Sequence, residues 1–247
     1  MSITRICPWD IVSEPPVLKK HGAHIWCSTL DFSEKKSAAF FETLSDTEKQ
    51  RARRFHFAHD RAHFVAARGL LRKILSTYLH CKPHHLRFNY NSYGKPVLTD
   101  YSNLQFNVSH SKGFALYGVS YEPAIGVDIE FIQANRDIDA ITRRYFSADE
   151  YDTIKNITGT EKIQAFFNGW VRKEAFLKAL GAGLSFPLAH VEVTLKSAEP
   201  AKFIALHDKK LDIAEWSLQA LNPLLNYAAA VVVKGKLQQI KTGYWSI

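Results

Sequence analysis

The chain has 247 residues, of which 46% are hydrophobic and 13% aromatic, enough for a real core and too apolar for a disordered chain. Its formal charge of +8 at pH 7 points to anionic partners: nucleic acid, a phosphorylated cofactor or an acidic protein. No apolar run reaches the length of a membrane span, so no membrane association is expected. Met1 to Pro16 lacks the basic-then-apolar pattern of a secretory leader, and Cys7, Cys27 and Cys81 are odd in number and far apart, so free thiols in the cytoplasm are expected. The His residues form no zinc motif: His84-His85 and the His56, His59, His63 group lack a matching pair at standard spacing, although His59 and His63 are i,i+4 on an expected helix. Zinc-finger, basic-zipper and aromatic-glycine sheet signatures are missing too, so nucleic acid is not an expected partner.

Residues 1–22 read as an irregular arm with Pro8, Pro15 and Pro16. His24 to Thr29 reads as a strand, and Asp31 or Ser33 caps a helix to about Thr43. Ser45-Asp46-Thr47-Glu48 is a capping-box pattern that opens a cation-rich helix to about Phe55. Asp60 to Leu79 is a long amphipathic helix with Phe64, Ala67, Leu70, Leu71, Ile74, Leu75 and Tyr78 on its core stripe. Its other side carries Arg61, Arg68, Arg72 and Lys73, which read as a solvated face or as a platform for phosphate. Leu86 to Tyr90, Leu104 to Val108 and Phe114 to Ser120 are expected strands, with a Gly-Pro turn over residues 91–96. Ser109 to Gly113 reads as a polar turn whose N–H groups, hydroxyls and His110 suit phosphate, or as a plain hairpin. No Gly-x-Ser-x-Gly follows, so Ser109 and Ser111 are not hydrolase nucleophiles.

Tyr121-Glu122-Pro123 reads as the junction between a first half, 1–121, and a second, 122–247. Ile125 to Ile132 alternates as a strand does, which puts Asp128 and Glu130 on one face and Val127, Ile129 and Phe131 on the other. Two adjacent carboxylates repel unless they are solvated or bridged by a cation, and an oxygen-only pair suits Mg²⁺. Ile138 to Tyr145 is an expected helix, and Ser147-Ala148-Asp149-Glu150 is a second capping box, for a helix to about Ile157. A helix from about Thr160 then ends at Gly181-Ala182-Gly183. Glu174 and Lys178 lie one turn apart on it, either as a surface ion pair or as part of a metal-assisted phosphate site with Asp128 and Glu130. The rest is strand-rich: 190–195, 203–206, 216–221, 227–233 and 243–247. Both halves run helices, a basic-apolar helix and then strands, a hint of internal duplication with a cleft between α+β halves.

Five stretches occur in one order: Tyr93-Gly-Lys-Pro, Phe106-Asn-Val-Ser-His-Ser, Ile125-Gly-Val-Asp-Ile-Glu, Phe146-Ser-Ala-Asp-Glu-Tyr and Trp170-Val-Arg-Lys-Glu-Ala-Phe-Leu-Lys. Together they resemble the 4′-phosphopantetheinyl transferases, of the larger single-chain type that primes peptide and polyketide synthetases. The resemblance implies two similar α+β halves related by a pseudo-twofold axis, with coenzyme A in the cleft between them. It implies Mg²⁺ near Asp128, Glu130 and Glu174, with Glu174 as metal ligand, general base or both, and Lys178 on the phosphate charge. It also implies that a Ser hydroxyl of an apo acyl or peptidyl carrier protein attacks coenzyme A, giving holo carrier and 3′,5′-ADP. Lys95, Ser109 and His110 become phosphate ligands by the same carry-over. Arg51-Ala-Arg-Arg-Phe resembles the basic segment that meets the 3′-phosphate, with Glu48 standing where a relative has Lys. Two halves in one chain favour a monomer. Competing readings are a non-catalytic coenzyme A or carrier-binding module and a Mg²⁺-dependent nuclease, though a nuclease Lys usually sits on a strand, two residues after an acidic one.

Overall fold

The structure, a computed structural model, describes residues 7–134 and 137–247. The first six residues of the expected arm lie outside the described residues. After β1 (Ile11–Val12) and β2 (Gly22–Thr29) come α1 (Glu34–Thr43), α2 (Asp46–Arg53) and α3 (Ala58–Leu79). Four strands follow: β3 (Phe88–Tyr90), β4 (Pro96–Leu98), β5 (Leu104–Ser111) and β6 (Phe114–Tyr121). The order then recurs as β7 (Ile125–Phe131), α4 (Ile138–Tyr145), α5 (Ala148–Lys155) and α6 (Gly159–Leu180). It is completed by β8 (Val191–Val193), β9 (Phe203–Leu206), β10 (Trp216–Leu221) and β11 (Tyr227–Lys234), and the chain closes with β12 (Gln239–Trp245).

The repeat extends to strand pairing. Hydrogen bonds join β2, β6 and β5 in that order, and β7, β11 and β10 in the corresponding one, while β3–β4 and β8–β9 are matching hairpins. Each half packs its 22-residue helix on one sheet face: Leu70, Leu71 and Ile74 of α3 in the first core, Phe166, Val171 and Phe176 of α6 in the second. The opposite sheet faces meet each other through Ile25, Cys27 and Leu116 from one half and Ile125, Val127, Ile129 and Val231 from the other. Two α+β layers thus stack sheet to sheet, each burying one face under helix and one under its twin.

Duplication is sharpest in two buried ion pairs. Ser45 and Ser147 each cap a helix in a full capping box, and each box supplies its Glu, Glu48 or Glu150. Glu48 meets Arg72 Nη2 at 2.7 Å, and Glu150 meets Lys173 Nζ at 2.6 Å. Arg72 and Lys173 hold equivalent positions in the two long helices, and each also donates to two carbonyls of the chain just after its own helix. These are Pro83 and Leu86 for Arg72, Leu188 and Val191 for Lys173.

β12 lies between β1 and β2, parallel to both. The tail therefore belongs to the first sheet, and residues 239–245 depart from the expected division at 121/122. His24 on β2 is buried, with its Nδ1 2.8 Å from the Tyr78 hydroxyl. Burial pushes its pKa down to about 4 from 6.5, and the Lys241 charge adds to the shift. The unfolded chain takes up this proton first, so stability is fully present above pH 6.5 and is lost progressively as pH falls toward 4. The expected loss is about 3 kcal/mol. Urea unfolding at stepped pH measures it, and His24→Asn should flatten that part of the curve.

Candidate active site

Gly126 brings the two signature elements together. A Cβ there would fall 2.1 Å from Ala175 O and 2.3 Å from Ala179 N, so only glycine lets β7 lie this close to α6. The turn of α6 against β7 carries Glu174 and Lys178, and the next outward position of β7 is Asp128. Lys178 Nζ reaches Asp128 Oδ1 at 2.6 Å and Ser109 Oγ at 2.9 Å. The Ser109 hydroxyl in turn donates to Asp128 Oδ1 at 2.7 Å.

β5 contributes more than Ser109. Its alternate residues Asn107, Ser109 and Ser111 project toward β7 and accept from the N–H groups of Val127, Ile129 and Phe131 at 2.9, 3.4 and 3.1 Å. Ser111 Oγ also donates to Glu130 Oε2 at 3.0 Å. A comb of polar side chains thus meets β7 where a further strand would otherwise pair, and its hydroxyls fix Asp128 and Glu130.

Asp128 is 3% exposed, and its Oδ2 accepts no hydrogen bond. Burial raises the pKa of Glu174; the negative charges of Asp128 and Glu130 raise it further, and Lys178 opposes them. Three clustered carboxylates, one with an orphaned oxygen, suit a hard divalent cation such as Mg²⁺. The set is open rather than closed. Among the described residues, the only three His, Cys, Asp or Glu side chains that bring one ligand atom each within 4.8 Å of one another are Asp31, His59 and His63.

A cavity of about 780 Å³ adjoins the cluster, lined by Arg51, Phe55, His63, Arg68, Tyr90 and His110 among others. Asn107 and Ser111 form part of its wall, so cavity and carboxylates share β5. His110 is open to the cavity but hemmed in by protein. Burial lowers its pKa, Lys178 and His63 add to the effect, and Asp128 opposes it. Arg51 stands at the rim with its guanidinium 5.4 Å from the Phe64 ring.

The structure changes three expectations. The polar turn at 109–113 is strand as far as Ser111, and only Lys112 and Gly113, both at positive φ, make the hairpin turn. Lys95 does not face the cavity: its ammonium donates to Lys178 O at 2.6 Å, Ile125 O at 3.2 Å and Ala179 O at 3.5 Å. It closes the C-terminal end of α6, where a cation is favoured, and burial lowers its pKa to about 8. Nor do Arg68 and Arg72 form a free phosphate platform, because both are drawn to Glu48. Arg68 Nε lies 3.1 Å from Glu48 Oε1, off the hydrogen-bond direction, and Arg72 is 1% exposed.

Comparison with known proteins fits this geometry. A family model described as the 4′-phosphopantetheinyl transferase superfamily matches residues 124–232, and one described as 4′-phosphopantetheinyl transferase, N-terminal, matches residues 31–120. The 4′-phosphopantetheinyl transferase HetI of Nostoc sp. is 38% identical over 227 residues, covering 90% of this chain and 92% of its own. The chain belongs to the 4′-phosphopantetheinyl transferase superfamily. The transferase is also 30% identical over 164 residues to Sfp of Bacillus subtilis, covering 66% of this chain and 71% of that one. A holo-(acyl-carrier-protein) synthase from Bacillus anthracis in complex with coenzyme A is 20% identical, with a TM-score of 0.38 over 46% of this chain and 96% of that one.

Asn107 was not singled out by the sequence, Ser111 only as one hydroxyl of a phosphate-suited turn, and Tyr90 and His63 not as cavity-lining residues. The first two follow from strand period once Ser109 is placed on β5. Tyr90 and His63 come from elements remote in sequence, and no local pattern announces them. Among the described residues, no helix is long and apolar enough to cross a membrane.

Proposed function

We propose that the transferase moves 4′-phosphopantetheine from coenzyme A to a Ser hydroxyl of an apo carrier protein, and that Glu174, Asp128, Lys178 and the basic cavity carry the work. The observation that supports this best is the continuity of two unlike environments along β5. One is a cavity with Arg51, Arg68, His63 and His110 in its wall, the other a group of carboxylates centred on buried Asp128. A diphosphate spanning them would have its nucleotide end among cations and aromatic rings and its reacting phosphorus beside Asp128, Glu174 and Lys178.

In the transfer, the Ser oxygen forms a bond to the phosphorus that bears the pantetheine arm. The bond from that phosphorus to the bridging oxygen breaks, and 3′,5′-ADP leaves with the electron pair. The Ser proton goes to the Glu174 carboxylate, whose raised pKa makes it a better base than an ordinary surface Glu. Asp128, Glu130 and Glu174 are the residues that would hold Mg²⁺, which when bound supplies positive charge to the diphosphate. Lys178, fixed by Asp128 and Ser109, adds a cation that needs no rearrangement during reaction. Arg51 and His110 are the phosphate ligands in this reading, and Ser109 acts by orienting Asp128 and Lys178. Both walls come from one chain, so a cytoplasmic monomer is sufficient.

The test is intact-mass measurement of an apo carrier incubated with the protein, coenzyme A and Mg²⁺. A gain of one phosphopantetheine, lost on chelation, is expected. No gain across several carrier types, from folded protein that binds coenzyme A, would instead establish a binding module. Glu174→Gln should lower transfer by about 10²–10⁴-fold. The same substitution should stabilise the metal-free protein. A raised carboxyl pKa means the native state holds a proton that the unfolded chain releases, so stability falls as pH rises through that window. Thermal midpoints of the two proteins at neutral pH in chelator give the comparison.

A further inference from the structure

A second group of ligating side chains stands at the rim of the cavity, apart from the carboxylate cluster. His59 and His63 lie one turn apart at the start of α3, with ring centroids 3.9 Å apart. His63 Nε2 is 2.7 Å from Asp31 Oδ1. One ligand atom from each of the three residues lies within 4.8 Å of the others. The arrangement is tied down from several sides. Asp31 N donates to Thr29 Oγ1 at 3.1 Å, and Leu30 N donates to Gly113 O at 2.7 Å, which fastens the segment after β2 to the β5–β6 hairpin. Gly113 leaves room for the carboxylate, since a Cβ there would sit 3.1 Å from Asp31 Oδ2. Both His59 and His63 line the cavity.

We infer that Asp31, His59 and His63 form a binding site for a borderline divalent transition ion, of the class of Zn²⁺ or Co²⁺. Imidazole nitrogen selects this class, whereas Mg²⁺ prefers the oxygen-only set around Asp128. Two imidazoles and one carboxylate from a helix turn and a facing loop leave coordination positions for water or for an anionic oxygen of a ligand in the cavity. The Asp31 carboxylate and the nearby Asp60, also on the cavity wall, offset the cation at a helix start that would otherwise disfavour it. The His63–Asp31 hydrogen bond is the apo form of the site: the ion replaces the shared proton, which leaves to solvent. The inference does not depend on the transfer reaction.

The probe is Co²⁺, followed by its visible absorption in chelator-stripped full-length protein kept in excess Mg²⁺, with Zn²⁺ as competitor. Wild type should bind one Co²⁺ per chain in the micromolar range and release it to Zn²⁺. His59→Ala, at an exposed position, and His63→Ala, at a half-buried one, should each weaken binding about tenfold or more, whereas Asp128→Asn should not. Circular dichroism establishes that each variant is folded. Binding no tighter than millimolar in wild type would overturn the inference. So would an affinity that falls in Asp128→Asn but not in the His variants, which would put the ion in the carboxylate cluster.

Discussion

Asp128→Asn is expected to reduce phosphopantetheine transfer by at least about 10³-fold in a protein that remains folded. The substitution keeps shape and removes charge. Asp128 Oδ1 gathers Lys178 Nζ and Ser109 Oγ, while Oδ2 accepts no hydrogen bond and is free for a cation. An amide loses both properties together: it cannot neutralise Lys178, and whichever face it turns to the cluster, one of its two positions presents donors. Glu174 also loses a negative neighbour that raises its pKa, so it becomes a weaker base as well. Intact-mass assays of an apo carrier with saturating coenzyme A measure the loss, and titration of coenzyme A separates binding from turnover. The cavity wall is untouched, so coenzyme A affinity should change far less than kcat. Full activity in Asp128→Asn would remove this residue from the site.

The signature elements were readable because they obey local rules. Both capping boxes, the αL glycine that ends α6 and the alternation of β7 are patterns within a few residues, and the structure reproduces them. The comb on β5 was misread for a physical reason: Ser, His and Lys before a Gly match turn chemistry as well as a strand whose polar face is satisfied by β7. A lysine in a Gly-Pro loop, Lys95, gives no sign that two carbonyls at a helix end, 83 and 84 residues onward, and a third at the start of β7 will take up its ammonium. The duplication was only hinted at, because the positions that carry it differ in residue type. Arg72 on Glu48 and Lys173 on Glu150 do one job with different cations.

That shared job leads to the largest expected effect on stability. Lys173 is fully buried and Glu150 is 5% exposed. Lys173 Nζ bonds Glu150 and two carbonyls beyond α6, so one ammonium ties α5, α6 and the strand that follows. Burial lowers its pKa while the Glu150 and Glu192 charges raise it, the balance being downward. Lys173→Ala should therefore cost about 3–5 kcal/mol, because it strands Glu150 as a buried carboxylate without its cation. Glu150→Ala should cost a similar amount and also leave the Ser147 N–H without its capping-box acceptor, while the Ser147 hydroxyl still caps α5. The double variant Lys173→Ala, Glu150→Ala should cost clearly less than the sum of the two single losses, since no charge is then left unpaired. Chemical unfolding of the four proteins closes the cycle. Additive losses would mean that the two side chains act independently. The corresponding cycle on Arg72 and Glu48 should show coupling of the same sign, because Arg72 is 1% exposed and serves the same junction in the other half. Transfer by the folded fraction of the Lys173 and Glu150 variants should stay near that of the parent, since that pair lines neither the cavity nor the cluster around Asp128.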